Sequence, residues 1–514
     1  MKFFPIIYVR GYAMTEKEMD ETSADPFNGF NLGSTVYRAS IDKENSSKKF
    51  MFESPLIRLM KDHNYSDVYS NGQDILELDD DIKSFSARSI IIHRYYDPTS
   101  TILGDGRKPD IEVFANKLSE LILRVRDLVC ANKENKMSFQ NFKCYLVAHS
   151  MGGLICRAFI QNPKLGDEQA KKAIDKIFTY ATPHNGIDLG GLNAPNLNVA
   201  GVNTFNREFM AEYLSLSSLY VKSERVDWLP EEVFPSERFF CMVGTNRNDY
   251  EVLSGLSRTF AGHGSDGLVR IENASVWGVK SNGEVSAPSA TAYTNRSHSG
   301  FFGIVNSEDA YQNLTRFLFG DVRVDIWLDI EDIKLPTDIK DKKVNALYQF
   351  EIDVAPKGMR WFLTQRRRVD DSAACRTYQE LKYPAEYKDQ HIYLSTVFLS
   401  KAERIDNTDP SLSYLLNLNI SALEYEIDHK FWRDGHFEGS SLLQSQLIAK
   451  IITPSSGGLN DWNVKFYFGN NESKFNYKQL ENNKIQIELP FDTQGEPGVK
   501  GAIRFIISTW NEEV

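Results

Sequence analysis

Apolar positions follow two different rhythms along this chain. Up to about residue 320, short runs dense in Val, Ile, Phe and Tyr alternate with stretches whose apolar residues recur at helical spacing. The short runs cover 3–9, 89–93, 142–147, 176–181 and 239–243, each bounded by Gly, Pro or Asn. Strands buried on both faces of a parallel sheet read this way, because neither face tolerates polar residues. Between the second and third runs, Ile111, Phe114, Leu118, Leu121, Val125 and Leu128 share one helical face behind Asp110, a fitting N-cap. A last helix is expected over 307–319, carrying Ala310, Leu314, Phe317 and Leu318. Strand–helix alternation predicts an α/β domain over residues 1–320, a mostly parallel sheet with helices on both faces.

From about residue 322 the period becomes two. Val322, Val324, Ile326 and Leu328 alternate with Arg323, Asp325, Trp327 and Asp329. The same rhythm returns at 346–354, 416–422, 462–468, 485–491 and 503–507. Half-buried strands separated by polar turns predict a second domain over 321–514, an all-β antiparallel sandwich. Within 414–427 the apolar phase flips, from Leu416, Leu418 and Ile420 to Leu423, Tyr425 and Ile427. One extra residue, a β-bulge, accounts for the flip. In the first domain two long segments, about 13–80 and 187–235, read as lid-like insertions. They either line an acyl pocket or merely cover the sheet's helices.

The run at 142–147 leads straight into Ala148-His149-Ser150-Met151-Gly152-Gly153 and then into a helical stretch. A hydroxyl placed between strand and helix, with small residues two before and two after it, fits a nucleophile on a sharp turn. A plain helix N-cap is the competing reading of Ser150. A serine hydroxyl needs a base to take its proton, an acid to orient that base, and N–H donors for the oxyanion. The residue after the nucleophile, Met151, supplies one donor. The loop leaving the first strand, at Arg10-Gly11, is the place for another. In the chain order Ser, Asp, His, the carboxylate is Asp266, between Gly264 and Gly267, and the base is His298, in a polar loop before the last helix. His149 and His184 are rival histidines. The first adjoins Ser150 and the second follows a strand end, where it is expected to shape the pocket.

Charge and cysteine usage narrow the surroundings. A formal net charge of −11 leaves no electrostatic footprint for nucleic acid. Arg366-Arg367-Arg368 reads as a turn or solvated face. Five scattered cysteines, mostly within apolar stretches, point to buried thiols in a reducing compartment, with no disulfide framework and no zinc site. Residues 1–11 read as a first strand and not a leader, and no apolar run nears the roughly 20 residues that span a bilayer. The cytoplasm is the expected location, with signal-independent export left open.

Taken together, "PIIYVRGY", "YLVAHSMGGL", "ATPHNG", "SDGLV" and "SHSGFFG" resemble the lipase and esterase branch of the α/β-hydrolase superfamily, as in bacterial lipases with an Ala-His-Ser-Met-Gly elbow. The likeness covers about the first 320 residues. It implies Ser150 as nucleophile, His298 as base, Asp266 as orienting acid, backbone donors from Tyr12 and Met151, no cofactor and no metal. Such relatives carry His-Gly where this chain has Arg10-Gly11, which makes Arg10 a pocket candidate facing a polar part of the substrate, beside His149 and His184. The implied activity is hydrolysis of carboxylic esters, lipid or long-chain esters first, with a transient lipid or membrane surface as partner. Acyltransferase and thioesterase chemistry use the same machinery, and a non-catalytic binding module on this scaffold is a further alternative. For the sandwich, a structural or protein-binding appendage ranks ahead of a lipid-surface module. A calcium site at Asp325, Asp329 and Glu331 ranks below a solvated strand face.

Overall fold

Strand after strand in the first part of the chain is apolar on both faces, and the sheet it builds is buried on both sides. The computed structural model describes residues 3–11, 34–38, 48–52, 54–68, 84–96, 110–189, 192–193, 203–247, 264–383, 391–404, 408–427, 435–454, 462–481 and 483–511. The chain divides into two compact units. One holds 2–291 with 296–314, and the other holds 292–295 with 315–514.

The α/β part of the chain is organised on a seven-stranded sheet of β1 (Ile6–Val9), β2 (Ser66–Asp67), β3 (Ser89–Ile92), β4 (Cys144–His149), β5 (Ile174–Tyr180), β6 (Phe239–Gly244) and β7 (Ala290–Thr294). Their spatial order is β7-β6-β5-β4-β1-β3-β2. Neighbours from β6 through to β2 are parallel. Ile6, Ile7, Ile90, Ile91, Leu146, Val147, Ile177, Phe178, Phe240 and Met242 are all buried, as the continuous apolar runs require. Around the sheet lie α1 (Pro55–His63), α2 (Ile111–Ala131), α3 (Met151–Gln161), α4 (Arg207–Tyr213), α5 (Ser217–Ser223) and α6 (Glu308–Phe319). The expected inward face of α2 is buried, whereas Asp110 stands at its N-cap without a side-chain cap bond. Among the described residues no helix is long and apolar enough to cross a membrane.

Two features add detail to the sequence reading. Residues 55–67, inside the first expected insertion, are structured. They make α1, with Leu56 and Leu59 buried, and the edge strand β2. Strand β7 is built from Ala290-Thr-Ala-Tyr-Thr, which packs small side chains in place of large aliphatics and so lacks the usual apolar signature. From residue 203 on, the second insertion packs inward. Met210, Leu214, Leu216, Val226 and Leu229 are buried, while Phe209 remains exposed.

In the second unit, antiparallel strands form two sheets. One runs His391–Leu399, Val322–Lys334, Gly498–Thr509, Ile485–Asp492 and Asn476–Gln479 across its width. The other runs Thr364–Arg366, Val344–Pro356, Leu412–Ile427, Gly435–Ile452, Asn463–Phe468 and Asn471–Glu472. Ala374–Thr377 also pairs with Val344–Pro356. A single core draws Val324, Ile326, Ile487 and Phe505 from the first sheet together with Phe350, Leu416, Leu418 and Phe466 from the second, so the unit is a sandwich. The expected bulge is present. Register shifts after Ile420 on one side, and between Ala346 and Tyr348 on the other. Burial passes from even positions to Tyr425 and Ile427, leaving Leu423 exposed on the bulge itself. The outward carboxylates have partners: Asp325 pairs with Arg323, Asp329 with Arg504 and Glu331 with Lys500, and Asp329 Oδ1 also meets the His391 ring. The Arg366–Arg368 run is engaged as well, with Arg367 bidentate on Asp353.

Candidate active site

The elbow at the end of β4 is a matter of crowding. Ser150 has φ 53° and ψ −125°, a region that non-glycine residues occupy only under constraint. Its N–H donates to the Tyr180 carbonyl on β5 at 2.9 Å, and its carbonyl accepts from Gly153 at 3.1 Å, closing the turn into α3. A Cβ on Gly152 would lie 2.1 Å from the Val9 carbonyl oxygen, and one on Gly153 would lie 2.2 Å from Thr182 Oγ1. Only hydrogen fits at either position. Two positions before Ser150, Ala148 is buried between Val9 on β1 and Thr179 on β5.

Asp266 reaches the same strand ends from the segment after β6. The approach is tight, since a Cβ on Gly244, the last residue of β6, would meet the Asp266 Cβ at 2.9 Å. Gly264 and Gly267 flank the acid with positive φ, so the loop curls around it. Asp266 Oδ1 accepts from the N–H groups of Leu268 at 3.0 Å and Val269 at 2.8 Å. That leaves Oδ2 to meet His298 Nδ1 at 2.9 Å. The backbone repeats the link, with the His298 N–H donating to the Asp266 carbonyl at 3.0 Å. On its other side, His298 Nε2 is 2.9 Å from Ser150 Oγ. The carboxylate accepts the Nδ1 proton, so the neutral ring presents a bare Nε2 to the serine hydroxyl. All three side chains are buried, Ser150 at 5 %, Asp266 at 1 % and His298 at 3 % exposure.

The remaining sequence candidates fall in different places. Met151 opens α3 directly after Ser150 and is buried. Tyr12, the other oxyanion candidate, lies outside the described residues. Arg10 directly follows β1, with its guanidinium 6.0 Å from the Tyr96 ring, and Tyr95 donates its hydroxyl to the Arg10 carbonyl at 2.7 Å. His149 Nε2 donates to the His298 carbonyl at 2.9 Å. Burial, followed by the neighbouring His298, lowers the His149 pKa and keeps its ring neutral. His184 is not brought to Ser150. It is fully buried, with Nε2 donating to Thr179 Oγ1 at 3.1 Å while that hydroxyl donates to the Phe240 carbonyl. Its ring packs edge-on against Phe239. Burial then holds its pKa well below the ordinary value, so it serves packing.

One residue was missed. Arg157, in the middle of the otherwise apolar α3, is completely buried. It donates to the carbonyls of His184 at 2.9 Å, Val226 at 2.8 Å and Trp228 at 2.8 Å, and to Gln161 Oε1 at 2.8 Å. It therefore pins the 184 loop and the 226–228 segment to the helix that follows the elbow. A lone arginine in "MGGLICRAFIQ" was the available signal. Among the described residues no cluster of His, Cys, Asp and Glu could hold a metal ion.

Residues 111–191, from α2 through the elbow and past β5, match the family model described as a PGAP1-like alpha/beta domain. A mature lipase of Bacillus licheniformis is 13% identical with a TM-score of 0.29, covering 59% of this chain and 87% of its own. A gene product of Listeria innocua is 13% identical with a TM-score of 0.26, covering 62% of this chain and 94% of its own. A comparison with curated proteins gives no match. The mostly parallel sheet with its strand–serine–helix elbow gives the first unit the architecture of an α/β-hydrolase fold, and the matched segment lies within it.

Proposed function

We propose that the chain is a serine hydrolase that cleaves carboxylic esters through a Ser150–His298–Asp266 triad. The observation that carries this reading is the relay itself, with 2.9 Å from Ser150 Oγ to His298 Nε2 and 2.9 Å from His298 Nδ1 to Asp266 Oδ2. In the first step Ser150 Oγ bonds to the ester carbonyl carbon while its proton passes to His298 Nε2. The tetrahedral oxyanion takes hydrogen bonds from backbone N–H groups, with Met151 and Tyr12 as the assigned donors. The carbonyl–alkoxide bond then breaks, and His298 returns the proton to the leaving alcohol. Water, giving a proton to His298 Nε2, attacks the acyl-serine carbonyl; the bond to Ser150 Oγ then breaks, His298 returns that proton to Oγ, and the acid leaves. Asp266 holds the imidazole tautomer and balances the imidazolium charge.

Lipid or long-chain acyl esters are the preferred substrates in this reading, met at a transient lipid surface. Thioesters and acyl transfer use the same atoms and form the second reading within enzymes. Of the thiols expected to be buried, Cys144, Cys156 and Cys241 are, whereas Cys130 is half-buried and Cys375 exposed; a reducing, cytoplasmic setting stays part of the proposal. The sandwich is assigned a structural or protein-binding role.

The test is turnover of p-nitrophenyl esters of increasing chain length by the full chain. Activity is expected to rise beyond acetyl, and Ser150→Ala is expected to lower kcat by about 10⁴-fold or more with an unchanged circular dichroism spectrum. Equal turnover by Ser150→Ala contradicts the assignment, and strict acetyl preference contradicts the long-chain substrate.

A further inference from the structure

The geometry points to His149 as a positioning residue that clamps the base-carrying loop, 296–303, to the nucleophile elbow. The inference rests on the reading of Ser150 as nucleophile and His298 as its base, and gives the neighbouring histidine a role different from lining a substrate pocket.

A neutral imidazole has one N–H, and His149 places its own on a backbone carbonyl, that of His298, at 2.9 Å. A carbonyl can only accept, so the bond fixes the Nε2–H tautomer. The other nitrogen, Nδ1, then faces the end of β1 with a bare lone pair. It lies 3.1 Å from where a Cβ on Gly11 would stand. The ring is therefore wedged between the turn leaving β1 and the loop that carries the base. Its centroid is 5.0 Å from that of His298 and tilted by 44°.

This bond completes a grip on one residue. The His298 N–H is held by the Asp266 carbonyl at 3.0 Å, its Nδ1 by Asp266 Oδ2 at 2.9 Å, and its carbonyl by His149. Two of those three ties come from the acid loop. The third comes from the elbow side, because His149 is the last residue of β4 and directly precedes Ser150. Beside the side-chain bond from His298 Nε2 to Ser150 Oγ, it ties the backbone of the base to the residue next to the nucleophile. A displacement of about 1 Å between reacting groups costs on the order of 10²-fold in rate. Removing the link loosens the loop that sets the distance from His298 Nε2 to Ser150 Oγ.

The test uses the full chain and a fluorophosphonate probe, reading the first-order inactivation constant at Ser150 separately from the probe's apparent affinity. That chemistry reports activation of the serine whether or not a carboxylic ester is the substrate. His149→Phe keeps the ring and removes the N–H. It is expected to lower the inactivation constant by about 10–100-fold with affinity unchanged. His149→Gln, whose amide nitrogen can reach the same carbonyl, is expected to recover most of the loss. Should His149→Phe fail to fold, His149→Leu carries the same expectation. An inactivation constant within twofold of wild type in the Phe variant overturns the proposal, as does a Gln variant no better than Phe. Brisk labelling of the wild type without ester turnover would instead sink the ester reading and leave the role of His149 standing. A wild type that takes no label overturns both.

Discussion

The two units treat their polar groups in opposite ways. In the α/β unit the strands are buried on both faces, so polar side chains are driven to the strand ends. There Gly11, Ser150, Thr182 and Gly244 follow or close β1, β4, β5 and β6, and the Asp266 and His298 loops meet them. In the sandwich most of the long strands have one wet face, as Val322–Lys334 and Leu412–Ile427 do. Polar residues spread over it and pair locally, as Arg504 does with Asp329 across neighbouring strands. Two-sided burial concentrates chemistry at an edge, and one-sided burial distributes it. The same contrast holds for single charges. Arg157 is buried and spends its guanidinium on main-chain carbonyls, whereas Arg504 lies partly exposed against a carboxylate and 5.1 Å from the Trp327 ring.

Three substitutions and a titration grade that contrast. Arg157→Met leaves the carbonyls of His184, Val226 and Trp228 without their donor in the interior. Each such orphan costs about 1–3 kcal/mol, and a total of about 3–5 kcal/mol is expected in urea denaturation. A loss under about 1 kcal/mol would mean that water reaches those carbonyls. Next comes the pH response. His93 is buried with Nε2 on the Phe114 carbonyl, and burial lowers its pKa to about 4. The unfolded chain protonates it near 6.5, so between about 6.5 and 4 the unfolded state binds more protons. Its contribution is intact above that window, falls as the pH drops through it by about 1.4 kcal/mol per pH unit, and levels off below. His93→Gln is expected to flatten the slope by about one proton, and an unchanged slope contradicts the assignment. The smallest effect belongs to Arg504→Met, about 1 kcal/mol or less, because its ion pair is partly solvated. Equal losses for the two arginine variants would erase the contrast.

Legibility in the sequence followed the same physical divide. Five strands of the sheet were readable because two-sided burial writes an uninterrupted apolar run, and the sandwich because one-sided burial writes an alternation. Strand β7 escaped because alanine and threonine fill its buried positions, and β2 because two residues hold no period. Ser150, Asp266 and His298 were nameable from local motifs and chain order, and the structure brings their side chains together. Tertiary partnerships were not. Nothing local says that His149 would bond the His298 carbonyl, that His184 would turn to Thr179, or that the N–H groups of Leu268 and Val269 would hold one Asp266 oxygen so that the other faces the base. These bonds join residues whose distance in space is set by the whole sheet.

The central claim is that Ser150 is an activated nucleophile. Intact-mass and peptide mass spectrometry after exposure to a fluorophosphonate address it directly. One adduct per chain, on the peptide bearing Ser150 and lost in His298→Ala, is the predicted result. An unmodified Ser150 in the folded wild-type protein, or undiminished labelling without the imidazole, would contradict it.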